Sequence, residues 1–170
     1  MRKNTSSKGF TLIELLIVIG IIAVLAALTF VAVNPMKRFK QARDTERRTS
    51  VDAILNAILK YQVDNNGDLP TGVDATTTAR LLGTATTSCV GCEAITTAST
   101  CLDLTSSLVN EYLDEMPVDP LSTTYTSAAK TGYYVKIDKI PSAGGGTSGR
   151  LTVGSCDPEL TANKPMRSTR

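Results

Sequence analysis

From Phe10 to Val33 the chain is apolar at nearly every position; the polar exceptions are Thr11, Glu14 and Thr29, and Gly20 is the single glycine. Roughly 24 residues at 1.5 Å per residue span about 36 Å as a helix, enough to cross a hydrocarbon core of ~30 Å with some tilt. A helix buried in a soluble core would fit the same run, but the rest of the chain is too polar to wrap it. A secretory signal would show a shorter apolar core with a small-residue cleavage site behind it. Here the basic Arg2, Lys3 and Lys8 and the small Gly9 lie in front, so any cut is expected before the apolar run.

The pattern then changes period. Phe39, Ala42, Val51, Ile54, Leu55, Ile58 and Tyr61 include the i, i+3, i+4 spacing of an amphipathic helix over residues 36–61. Asn34-Pro35 admits two readings: one long helix kinked at Pro35, or a second helix capped by Asn34 with Pro35 at its first position. The kink is preferred. Asp44 and Arg48 are spaced for an i, i+4 pair. Asn65-Asn66-Gly67 stops the helix and Pro70 prevents its resumption. Residues 71–100, rich in Thr, Ser, Gly and Ala, predict a surface loop. A short helix is expected over 105–115, ended by Pro117. In "GYYVKIDKI", Tyr133, Val135 and Ile137 face one way and Lys136 and Asp138 the other, the alternation of a half-buried strand. Residues 123–128 and 150–155 are its expected neighbours, with the glycine-rich 142–149 as a return loop.

Composition narrows the chemistry. The chain contains no His, the commonest general acid–base and metal ligand. Gly144-Gly145-Gly146 lacks the Lys-Ser/Thr of a phosphate-binding loop. No catalytic constellation is expected, and the chain is not read as an enzyme. A net charge of +2 gives no global field toward nucleic acid. The basic cluster around Arg43 and Arg47 is compatible with lipid headgroups, an acidic neighbouring subunit, DNA, or a solvated face.

Cys89, Cys92, Cys101 and Cys156 form an even set in a Ser/Thr-rich region, which suggests two disulfides with three possible connectivities. Cys156 behind a strand is a candidate to staple the sheet to the 89–101 loop. Cys89-x-x-Cys92 is half of a zinc ribbon, but Cys101 and Cys156 are too far apart in sequence to supply the other half. A redox dithiol would need a βαβ context that is missing.

Glu14 is the anomaly. A carboxylate costs about 2.5–3.5 kcal/mol near the centre of a membrane helix, and less toward an end. Lys8-Gly9-Phe10-Thr11-Leu12-Ile13-Glu14-Leu15-Leu16 resembles the start of type IV prepilins and type II secretion pseudopilins. The resemblance implies that a prepilin peptidase cuts between Gly9 and Phe10, that Phe10 is N-methylated, and that Glu14 neutralises the new amine of a neighbouring subunit during assembly. An acid that merely reaches the headgroups is the alternative. "YQVDNNGDLP" and "MPVDP" extend the resemblance to about Ile140. The implied fold is α+β and pilin-like: leader 1–9, transmembrane helix 10–33, amphipathic continuation 34–65, and a globular domain 66–170 with an antiparallel sheet on the helix's second half.

The implied partners are other copies in a homo-oligomeric filament, the membrane, the peptidase, an assembly ATPase with its platform protein, and minor pilins or pseudopilins. Nucleic acid is not an expected partner. The implied location is the cytoplasmic membrane, single-pass with the C-terminal domain outside, and then a surface or periplasmic filament. Basic residues after the span outnumber those before it, which by the positive-inside rule argues the reverse orientation; the family resemblance is preferred. Calcium, held by an acid-rich loop in the secretion members, is not expected, since "IPSAGGGTSGRLTVGSC" contains no acid. An anchored binding domain that stays monomeric is the rival function.

Overall fold

A computed structural model describes residues 9–74, 78–89, 92, 95–121, 124, 125, 127–141, 147–160 and 166–169. The chain divides into two compact units, residues 1–39 and 40–170. In the first, helix α1 runs Leu12–Val33, 22 residues, about 33 Å at 1.5 Å per residue. Its side chains are exposed, Ile13 at 63% and Leu25 at 57%. The expected leader, apart from Gly9, lies outside the described residues.

At Asn34 the helix does not kink; it stops. Asn34 takes a left-handed φ of 45°, a conformation that Asn tolerates better than most residues. Pro35 then opens helix α2, Pro35–Asp64. The Asn34 carbonyl accepts the N–H of Lys37 at 3.1 Å, and its side-chain oxygen takes the same N–H at 3.4 Å. The preferred single bent rod is therefore corrected to two helices. Pro35 has no N–H to lose at a helix start, which favours this solution.

Within the second unit, α2 buries Asp44, Arg47, Val51, Ile54, Leu55, Ala57 and Ile58. It ends as expected: Asn66 (φ 56°) and Gly67 (φ 100°) are left-handed, and the Gly67 N–H donates to the Gln62 carbonyl at 2.7 Å. Among the described residues four antiparallel strands follow in the order β1 (Arg80–Leu81), β2 (Tyr133–Pro141), β3 (Thr147–Ser155) and β4 (Met166–Thr169). Val135 lies opposite Val153 and Ile137 opposite Leu151. Tyr133, Val135, Ile137, Leu151 and Val153 pack with Val51, Ile54, Leu55 and Ile58 of α2 in the main core. On the other face Tyr134 joins Leu81, Tyr125 and buried cysteines in a smaller core. Gly154 permits this second packing, because a Cβ there would sit 2.5 Å from the Tyr134 ring.

Several expected elements differ. β3 covers the expected neighbour 150–155, but the other neighbour of β2 is β1, inside the stretch expected to be a loop. Leu81 and Leu82 are fully buried there and account for the pairing. Of the expected strand 123–128, Thr124 and Tyr125 are not in a strand, and 123 and 126 lie outside the described residues. The return loop is shorter than expected, since Thr147 already belongs to β3; residues 142–146 lie outside the described set. The helix expected over 105–115 is only α3, Thr105–Leu108. Asn110 at φ 73° turns the chain away, and its N–H donates to Leu113 O at 2.7 Å.

Candidate functional site

The head of α1 brings Gly9, Phe10, Thr11 and Glu14 together. Thr11 is the N-cap. Its backbone N–H and its hydroxyl both donate to Glu14 Oε2 at 2.8 Å, and the Glu14 N–H donates to Thr11 Oγ1 at 3.3 Å. This capping box satisfies donors that a helix start leaves open, and it places an acid where the helix dipole favours one. Thr-x-x-Glu is thus legible as a helix start as well as a family signature. Glu14 lies one helical turn from Phe10, whose side chain is 85% exposed.

At Arg47 the basic cluster is not a solvated face. Arg47 is 1% exposed and sits in an internal ion network. It grips Asp119 with two bonds of 2.7 and 2.9 Å, and meets Asp44 at 2.8 Å and Glu159 at 3.2 Å. Arg43 holds Glu159 with bonds of 2.6 and 2.7 Å. Asp44 also accepts the backbone N–H groups of Glu159 at 3.0 Å and Leu160 at 2.9 Å. Its partner is therefore Arg47 at i, i+3, and the expected pairing with Arg48 is corrected. Burial is the largest single influence and works against the Arg47 charge, but the hydrogen bonds and opposite charge of Asp119, together with the hydrogen bonds to Asp44 and Glu159, outweigh it and the net shift is upward. The Arg43 hydrogen bond holds the Glu159 carboxyl below its usual range.

Gly132 helps to set this network. Its φ is +82°, and a Cβ there would come within 2.9 Å of the Asp119 side chain. Asp119 and Glu159 escape a reading of the sequence because they lie 72 and 112 residues from Arg47. The "MPVDP" motif was the one available signal for Asp119.

The four cysteines form two disulfides, Cys89–Cys101 and Cys92–Cys156. The second ties the end of β3 to the 89–101 segment and leaves the neighbouring residues 157–160 next to the Asp44 clamp. Among the described residues no cluster of three or more acidic, Cys or His side chains is arranged to hold a metal.

A capped apolar helix behind Gly9-Phe10, and a small antiparallel sheet packed on a second helix, describe a pilin-like α+β protein. Residues 4–30 match the family described as the prokaryotic N-terminal methylation motif. The chain is 51% identical over 65 residues to the type IV wide pilus major component PilA4 of Thermus thermophilus, which covers 36% of this chain but only 45% of that protein. It is 28% identical over 155 residues to the type II secretion system core protein G of Escherichia coli, covering 89% of this chain and 94% of the relative. No solved structure matches the chain.

Proposed function

We propose that this chain is a structural filament subunit, held in the cytoplasmic membrane by α1, trimmed between Gly9 and Phe10, methylated on Phe10, and then polymerised. The observation that carries the reading is Glu14, the one charged residue in a 22-residue apolar helix, one turn from the nitrogen that cleavage would convert into an ammonium. In the uncut chain Thr11 satisfies this carboxylate. Once cut, an amine from an adjacent copy offers a full opposite charge in a low-dielectric setting, where attraction far exceeds that in water. The exposed apolar face of α1 needs an equally apolar destination on leaving the membrane, and a bundle of like helices provides one. Open, non-closing contacts of this kind yield fibres instead of rings.

Two disulfides support an oxidising location for the domain, outside the cytoplasm. An ATPase with a platform protein would supply the work of extraction, and minor subunits would share the filament. The long match to core protein G, which reaches through the globular unit, supports a secretion pseudofilament as a second reading beside the pilus suggested by the closer match at the head.

Mass spectrometry of the membrane-extracted protein tests the processing step: residues 1–9 should be missing and Phe10 should carry one methyl group. The variant Glu14→Ala should still be trimmed, yet form no fibres. Normal fibres from that variant would refute the role given to the carboxylate, and a protein that keeps its leader and never associates would favour the anchored monomer.

A further inference from the structure

A groove of about 560 Å³ opens between the last turns of α2 and the 109–115 segment. Leu59, Val63 and the ring of Tyr112 supply its apolar surface, and Val63 is left 79% exposed. Tyr112 is braced by an edge-on contact with Tyr61, centroids 5.9 Å apart. The rim is acidic: Asp64 and Glu111 line the groove, and the exposed Asp114 follows on the same segment. Lys60 is the one cation in the lining.

Elsewhere in the sequence stands a segment of opposite character. Met36-Lys37-Arg38-Phe39-Lys40 opens α2 with three cations around a phenylalanine that is 60% exposed. α2 has no acid in its first turn and no base in its last. Neither end offsets the helix dipole, which is locally unfavourable. An apolar knob with basic shoulders and an apolar groove with an acidic rim are complementary in both respects.

We infer that the groove receives the Phe39 segment of a second copy of this chain, with Lys40, next to Phe39 on the helix, facing Glu111 on the rim. Both halves of the contact are local: five consecutive residues on one copy, and a groove within one folded unit on the other. The two surfaces differ, so the contact is heterologous and repeats along a fibre without closing. Repetition lets a weak individual contact hold firmly through many simultaneous engagements. The inference rests on the filament reading and adds to it a contact outside α1.

Replacing Phe39 by the photoreactive p-benzoylphenylalanine in the full chain, followed by illumination of assembled fibres, tests the contact. The expected product is a crosslinked dimer joining position 39 to residues 59–64 or 111–112 of another copy. Adducts only to α1, to lipid or to another protein would overturn the inference while leaving polymerisation intact; absence of any fibres from the unmodified chain would instead defeat the filament reading. Charge reversal is the second arm. Lys40→Glu, and separately Glu111→Lys, should each lower fibre yield by about tenfold or more through like-charge repulsion. The two changes together should restore fibres. Failure of the combined variant to recover, with its fold intact by circular dichroism, also overturns the inference.

Discussion

Arg47 is the residue on which the globular unit turns. Its guanidinium is enclosed by Asp119, Asp44 and Glu159, and a buried charge is tolerated only while such partners remain. Removing one partner of a buried pair usually costs about 3–5 kcal/mol, whereas replacing both by apolar groups can be nearly neutral. Asp119→Ala should therefore destabilise the unit by about 3 kcal/mol, at the low end because Asp44 and Glu159 stay in place. Arg47→Met combined with Asp119→Leu should lose clearly less than the two single changes added together. Chemical denaturation of the detergent-solubilised chain checks this double-mutant cycle; simple additivity would mean that the pair is not coupled.

Among the elements, legibility followed length and period. α1 could be read because its apolar run is unbroken over twenty-odd residues, and β2 because its alternation is strict. β1 is two residues long inside a threonine-rich stretch, and β4 only four; neither gives a periodic signal long enough to recognise. α3 stops early because Asn110 leaves helical space, which its neighbours' apolar spacing does not reveal. The ion network was invisible for another reason: a run of arginines on a helix looks solvated until acids from two distant segments arrive. The pairing of the cysteines was equally open, since spacing alone cannot choose among three patterns. It now yields a prediction. Cys92–Cys156 closes 64 residues and Cys89–Cys101 only 12, so in the chain-entropy view the first should contribute about 4 kcal/mol and the second about 3. Thermal melts of Cys92→Ser/Cys156→Ser and Cys89→Ser/Cys101→Ser should rank in that order.

Taken as a whole molecule, the folded domain has a characteristic response to pH. Glu159 is held below its usual value of 4.5 chiefly by the Arg43 hydrogen bond, and Asp138 is lowered chiefly by Lys136. A carboxylate depressed on folding adds stability that is present above its unfolded pKa and disappears as pH falls through the folded one. With no histidine in the chain, Tm should be nearly level from about pH 5 to 8 and decline below about 4.5, and Glu159→Gln should flatten that decline. The same clamp has a consequence in time. Arg47 emerges early in synthesis, but one of its acids is 112 residues away, and Asp44 waits as long for the backbone of Glu159 and Leu160. A ribosome at 5–20 residues per second takes roughly 6–22 s to cover that interval, during which Arg43 and Arg47 lack the Glu159 carboxylate and the Arg47 charge is met by Asp44 and, later, Asp119. Closure of this unit is therefore a late event in biogenesis, and a stalled or shortened chain would leave the half-built subunit open to chaperones and proteases before it could join a fibre.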